Sequence, residues 1–223
     1  MKQAIVFDLD DTLYCENEYV ISGFHEVDHW VRVNLNLQGF FEQAEQLFYQ
    51  GHKGNIFDKT LHVLQVEYDY GIIHQMLTVY REHLPQIKLY PDALWALRYA
   101  SSKAKIGLLT DGFLAAQQQK VKSLGILPYL DHIVYSDELG RECWKPCPIP
   151  YIKMTEGLGI HPSACVYIGD NPQKDFIAAK RLGWTTVCVK RTDGLYRDVV
   201  IETDYLEDYC VSSLFELQHL GFL

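Results

Sequence analysis

The sequence lacks several of the features that would assign it to a special class. Its 6 cysteines, Cys15, Cys143, Cys147, Cys165, Cys188 and Cys210, form no C-x-x-C pair, so neither a thiolate zinc site nor a disulfide framework is indicated. Cys165 and Cys188 fall inside apolar runs and are expected to be small core residues in a reducing compartment. Only 15 Gly and 8 Pro occur in 223 residues, with no low-complexity segment, which excludes fibrous and disordered classes. Positive charge is also in short supply. With Lys and Arg at 20 against Asp and Glu at 29, the net charge of -9 argues against a nucleic-acid polymer or an anionic membrane as partner. No stretch reaches the uninterrupted apolar length of a bilayer-spanning helix, and the run Ala4 to Phe7 is too short for the core of a signal peptide. A cytoplasmic protein is expected, and its oligomeric state is left open.

What the sequence does contain is ordinary globular material, 48% hydrophobic and 22% charged, in a length that suits one core with a sizeable insertion. Short runs rich in Val and Ile recur at Ala4 to Phe7, Lys105 to Leu109, His132 to Tyr135, Cys165 to Ile168 and Thr185 to Val189. Strands that read as continuous apolar runs are buried on both faces, the signature of a parallel sheet covered by helices. Helical spacing between them predicts helices over Pro91 to Ser101, Gly112 to Leu124, Ile149 to Gly157 and Pro172 to Leu182, the last capped by Asn171 and stopped by Gly183. Residues 15–88 break the alternation. Apolar spacing there is helical over Tyr19 to Val33, Phe40 to Tyr49, Phe57 to Val66 and Ile72 to Leu84, with a turn at Gly54 and Asn55. The expected fold class is α/β, a Rossmann-like parallel sheet flanked by helices, with residues 1–14 and 89–223 forming the core and 15–88 an all-helical cap.

In an open parallel sheet, functional groups collect beyond the carboxyl ends of the strands. Four such places carry candidates: Asp8-Leu9-Asp10-Asp11-Thr12, Thr110-Asp111-Gly112, Lys145-Pro146, and Gly169-Asp170 followed by Asp175. Their order and spacing resemble the four motifs of the haloacid dehalogenase-like hydrolase superfamily, and the helical insertion after the first motif resembles that family's cap. A single D-x-D would be weak; four ordered motifs at strand ends are a strong signal.

The resemblance implies a magnesium-dependent phosphatase acting on a small phosphorylated metabolite such as a sugar phosphate or nucleoside monophosphate. Asp8 is the expected nucleophile, since a carboxylate can split a difficult displacement through an acyl-phosphate. Asp10 can serve as general acid and then general base. Several carboxylates in one crevice would repel each other and an anionic substrate without a cation. Asp8 and Asp170 are the expected magnesium ligands, to which the resemblance adds the backbone carbonyl of Asp10. Phosphoryl oxygens are expected to meet Thr110, the amides of Asp111 and Gly112, and Lys145. Asp175 and Thr12 are expected to support these groups from behind, Asp175 by orienting Lys145 or a metal-bound water. Asp111 departs from the superfamily's common Thr-Asn-Gly, and a carboxylate cannot donate a hydrogen bond.

Other readings are weighed beside this one. A phosphomutase shares most of the core residues, a 2-haloacid dehalogenase needs neither Asp10 nor magnesium, and a silent phosphate-binding regulatory protein would not need every charged position. His25-Glu26-Val27-Asp28-His29 matches H-E-x-x-H, the zinc-protease pattern, but it lies in the insertion without a marked third ligand. The alternative for this segment is a polar helix face with Val27, Trp30 and Val31 packing inward. Tyr14, Glu16, His25 and His29 are the candidates for substrate contact, with plain surface exposure an equal account of them. Lys174, Lys180, Arg181, Lys190, Arg191 and Arg197 read as a solvated basic face.

Overall fold

A computed structural model describes residues 3–192, 194, 196, 199 and 202–222. Six parallel strands form one sheet: β1 (Ala4–Phe7), β2 (Lys105–Thr110), β3 (His132–Tyr135), β4 (Cys165–Gly169), β5 (Thr185–Val189) and β6 (Tyr209–Val211). They lie in the order β3-β2-β1-β4-β5-β6. Strand β1 is central, and Ala4, Ile5, Val6 and Phe7 are all fully buried, as a strand covered on both faces requires. Its register pairs Phe7 with Leu108 on one side and Ile168 on the other. Beyond the partners of Phe7, β2 continues to Thr110 and β4 to Gly169. The strand order reverses between β1 and β4, the place where open α/β sheets leave a crevice.

Helices α5 (Pro91–Ala100), α6 (Leu114–Leu124), α7 (Ile149–Leu158) and α8 (Ile177–Arg181) accompany the strands. Helix α5 has Pro91 in its first turn, where the missing N–H is no loss. Helices α6 and α7 end on Gly125 and Gly159 in left-handed conformation. One side of the sheet packs through Val6, Leu109, Tyr151, Met154, Tyr167, Phe176 and Trp184. Cys165 and Cys188 are buried in the core.

The chain divides into two compact units, Met1–Glu16 with Lys88–Leu223, and Asn17–Ile87. The second unit is built from α1 (Glu16–Leu35), α2 (Phe40–Tyr49), α3 (Ile56–Val63) and α4 (Tyr70–Glu82). Its interior gathers Phe24, Val27, Val31, Phe40, Ala44, Phe57, Leu61 and Met76, with Trp30 packed against them. Asp69 caps α4 by accepting from the Ile72 amide at 2.9 Å. In the first unit the two chain crossings run side by side, Tyr14 bridging Leu89 and the Tyr90 amide donating to the Leu13 carbonyl at 2.9 Å.

Three expectations need correction. The helix expected over Pro172 to Leu182 covers only Ile177–Arg181. Residues 171–176 form turns instead, because Asp175 turns back: its carboxylate accepts from the Asn171 amide at 2.9 Å and its carbonyl from Tyr151 at 2.7 Å. Asn171 does not cap a helix, and its side chain accepts from the Gln173 amide at 3.0 Å. Strand β6 was not expected, since three residues with two exposed carry no periodicity. The basic stretch is not one solvated face. Arg191 is buried, paired to Asp92 at 2.6 Å and donating to the Thr12 carbonyl at 2.6 Å. Lys174 pairs with Asp111 at 3.2 Å. Arg181 and Lys190 are exposed, and Arg197 lies outside the described residues.

Candidate active site

The loop after β1 turns immediately. The Asp8 amide still donates to Ile168 at 2.8 Å, but Leu13 already closes a turn onto the Leu9 carbonyl at 2.9 Å. Asp11 adopts a left-handed φ of +50°. That conformation is more tolerable for Asp than for most residues, and here the side chain accepts from the Glu16 amide at 2.8 Å. Thr12 is buried; its carbonyl is held by Arg191, and its hydroxyl has no partner among the described residues.

Lys145 is the hub of the site. Its ammonium group, fully buried, lies 2.6 Å from Asp8 and 2.8 Å from Asp175, and donates to the Tyr167 hydroxyl at 2.9 Å. The Lys145–Pro146 peptide is cis. Asp111 holds this loop by accepting from the Lys145 amide at 3.2 Å and the Ser136 hydroxyl at 2.6 Å. The second motif's carboxylate therefore acts as an acceptor for its neighbours. Asp175 is reached only because residue 169 is glycine: a Cβ there would come within 2.8 Å of Asp175 Cγ.

Carboxylate oxygens of Asp8, Asp170 and Asp175 all lie within 4.8 Å of one another, and all three residues are buried. Burial pushes the Asp8 carboxyl up to about 7, with Lys145 opposing and Asp175 adding to the rise. Asp170 is held well above the usual range by burial and then by Asp175 and Asp8. Burial would lower Lys145, yet Asp175 and Asp8 hold it well above its usual value. One ammonium thus does not balance the cluster, and a divalent cation fits the surplus charge. Both oxygens of Asp175 are engaged, by Lys145 and by the Asn171 amide. That leaves Asp8 and Asp170 better placed than Asp175 to hold such an ion.

Asp10 is bound on the other side of the crevice. Its carboxylate receives the Tyr14 hydroxyl, Lys120 Nζ at 2.7 Å and Gln117 Nε2 at 2.9 Å. Burial alone would raise its pKa, but the Lys120 charge and the donated hydrogen bonds outweigh that and lower it. Gln117 also donates to Thr110 Oγ1 at 3.0 Å and to the Asp111 carbonyl. The Thr110 hydroxyl in turn points to the Asp111 carbonyl at 3.4 Å. Gly112 has φ +124°, and a Cβ there would meet Gln117 Nε2 at 2.7 Å. Burial, with Asp10 nearby, pushes half-buried Glu16 up to about 7. Surface exposure does not account for Tyr14, which is fully buried.

The structure thus brings together Asp8, Asp10, Thr110, Asp111, Lys145, Asp170 and Asp175, with Tyr14 and Glu16 beside them. His25 and His29 belong to the other unit, exposed on α1, and His25 stacks on Phe41 at 3.8 Å. Between them Asp28 is buried, accepting from the Phe41 amide at 3.1 Å and paired with Arg32 at 2.8 Å. No group of three metal-ligating side chains among the described residues includes either histidine. Sequence reasoning missed Gln117, Lys120, Ser136 and Tyr167, and placed Lys174 on the surface. A signal existed for two of them. The buried positions of α6 are Ala116, Gln117, Lys120, Val121 and Leu124, so two polar residues occupy its inward stripe.

The family model described as haloacid dehalogenase-like hydrolase matches residues 5–189. A glyceraldehyde 3-phosphate phosphatase of Methanocaldococcus jannaschii is 32% identical, with 97% of this chain and 96% of the relative covered. The pyrophosphatase PpaX of Bacillus pumilus is 28% identical, with 83% and 82% covered. Among solved structures, the HAD-hydrolase YfnB of Bacillus subtilis bound to magnesium superposes with a TM-score of 0.71 at 16% identity, covering 98% of each chain. A 2-haloacid dehalogenase of Pseudomonas syringae pv. Tomato gives 0.69 at 20% identity, covering 99% and 98%. The two structural likenesses speak for the fold, and with the family match over most of its length the chain belongs to the haloacid dehalogenase-like hydrolases.

Proposed function

We propose that this phosphoric monoester hydrolase works through an aspartyl-phosphate on Asp8. The observation that carries the reading is the meeting of Asp8, Asp170 and Asp175 around Lys145 at the ends of adjacent strands. In the first step an Asp8 oxygen bonds to phosphorus while the bond to the leaving oxygen breaks, and Asp10 passes a proton to that oxygen. In the second, Asp10 takes a proton from water as the water oxygen bonds to phosphorus, freeing phosphate and restoring Asp8. Lys145, Thr110 and the amides of Asp111 and Gly112 hold the phosphoryl oxygens as charge shifts. Asp175 keeps Lys145 in place, and Arg191 fixes the loop through Thr12. Magnesium, held by Asp8, Asp170 and the Asp10 carbonyl, would neutralise charge at the phosphoryl group.

Residues 17–87 serve in this reading as a cap that selects the substrate. Among small phosphorylated metabolites, the name of the relative that matches along nearly its whole length puts a triose phosphate first. No helix among the described residues is long and apolar enough to cross a membrane, in keeping with the proposed cytoplasmic location.

The test is free phosphate released from glyceraldehyde 3-phosphate, other sugar phosphates, nucleoside monophosphates and p-nitrophenyl phosphate, each with magnesium and with chelator. Magnesium-dependent release that disappears in a folded Asp8→Asn variant supports the reading. Retained turnover in that variant overturns the mechanism, and phosphate moved between substrates without release points to a mutase.

A further inference from the structure

Lys145, the cation at the centre of the site, has no donor to spare. An ammonium group carries three N–H donors, and those of Lys145 meet Asp8 at 2.6 Å, Asp175 at 2.8 Å and the Tyr167 hydroxyl at 2.9 Å. It can take a phosphoryl oxygen only by giving up one of these partners. Lys174 differs. It comes from the turn after β4 and reaches the loop after β2, where its ammonium lies 3.2 Å from Asp111 Oδ2. Among the described residues Asp111 takes one of its donors and leaves two, and 34% of the Lys174 side chain is exposed, against none of Lys145.

The position suits an anion. Asp111 is the residue whose amide, with that of Gly112, holds phosphoryl oxygens in the reading above, so a cation fastened to its carboxylate stands beside the same oxygens. Burial dominates the raised pKa of Asp8; of the charges that oppose it, Lys145 comes first and Lys174 next, so the Lys174 ammonium is felt at the proposed nucleophile. Burial and Lys145 would lower Lys174 itself, but Asp175, Asp8 and Asp111 outweigh them and raise it, which keeps it charged at neutral pH. The Asp111 carboxylate by itself would repel a phosphate.

We infer that Lys174 is a further substrate-binding residue: Asp111 orients its ammonium group, whose two remaining donors hold oxygens of the phosphoryl group from the open side of the crevice. The inference rests on the phosphatase reading above, which brings that group to Asp8. A lysine is a compact charge on a flexible stem, and the carboxylate gives it a fixed point. The plainer account is that Lys174 does no more than neutralise Asp111.

The two accounts part once Asp111 is uncharged. In an Asp111→Asn background a mere counter-ion has nothing left to neutralise, whereas a phosphate ligand still has its phosphate. The measurement is the Kd of inorganic phosphate with magnesium, by calorimetry, and its inhibition constant against p-nitrophenyl phosphate. Wild type, Lys174→Met, Asp111→Asn and the double variant are compared, with Tm for each. Lys174→Gln is made in both backgrounds, so that failure of one replacement to fold leaves the other to decide. In the Asp111→Asn background, loss of the lysine should weaken phosphate by about tenfold to a hundredfold, the worth of one charge-assisted hydrogen bond. A loss confined to the background that keeps Asp111, or no loss in either, overturns the inference, while phosphate release by wild type leaves the phosphatase reading standing. Lys174-dependent phosphate binding by a wild type that hydrolyses nothing supports the binding role, and the phosphatase reading alone falls. A wild type that neither binds phosphate nor hydrolyses a phosphate ester overturns both.

Discussion

Lys145→Met removes the ammonium group that touches both Asp8 and Asp175, at 2.6 and 2.8 Å. At an effective dielectric of about 20, each such contact is worth about 6 kcal/mol of Coulomb energy. Most of that offsets the desolvation of Lys145. The net loss should be that seen when one member of a buried pair is removed, about 3–5 kcal/mol. For a chain of this length each kcal/mol lowers Tm by about 2–4 °C, which gives a fall of about 6–20 °C. The variant leaves Asp8, Asp170 and Asp175 within 4.8 Å of each other with no ammonium between them. Magnesium should then recover part of the loss, since a ligand at a hundred times its Kd adds about 2.7 kcal/mol. Calorimetry with magnesium and with chelator, on wild type and variant, reads both quantities. A variant that melts within about 2 °C of wild type in chelator, a small fraction of that expected fall, would refute the claim that Lys145 balances this cluster. So would a magnesium shift smaller than that of wild type.

Other outcomes follow from the same contacts. Asp92 Oδ2 accepts from Arg191 at 2.6 Å, Ser213 at 2.8 Å and the Leu214 amide at 2.7 Å; burial opposes, but Arg191 and these bonds lower its pKa. A lowered carboxylate stabilises fully above its unfolded value of about 3.9 and loses that contribution as pH falls through its folded value. Asp92→Asn should therefore lower stability by about 1.5–3 kcal/mol at neutral pH, with the gap to wild type closing in acid, as urea titrations at several pH values would read. Asp111→Asn keeps an acceptor for Ser136 and the Lys145 amide but releases Lys174. With one negative charge fewer beside the phosphate site, KM should fall, by about tenfold at most, with kcat little changed. A zinc-selective chelator should leave phosphate release unchanged, since His25 and His29 are exposed and joined by no third ligand among the described residues. Loss of activity on zinc chelation would restore the H-E-x-x-H reading.

Much of the fold could be read along the chain because the signals were local. Ala4–Phe7, His132–Tyr135 and Thr185–Val189 are strands with the limits expected, as continuous apolar runs bounded by polar residues cannot be accommodated elsewhere in a two-faced sheet. The helical character of residues 17–87 followed from apolar spacing. The four motifs named the candidate site, because the chemistry demands acids, a hydroxyl and a lysine at successive strand ends. Periodicity misled at residues 171–176, where the pattern suits a helix. There the Asp175 side chain holds the Asn171 amide and faces Lys145.

What the sequence determined by itself is therefore the order of β1 to β5 and the helices between them, and the identity of the charged groups at the strand ends, since each depends on neighbours within a few residues. The tertiary structure alone decided which partners those groups meet. Asp10 finds Gln117 and Lys120 more than a hundred positions away, and Thr12 finds Arg191 through a bond spanning most of the chain. It also decided which basic residues are solvated and which are buried against an acid. Such pairings depend on sheet order and helix packing, and one-dimensional periodicity carries no information about which distant side chain will arrive at a given oxygen.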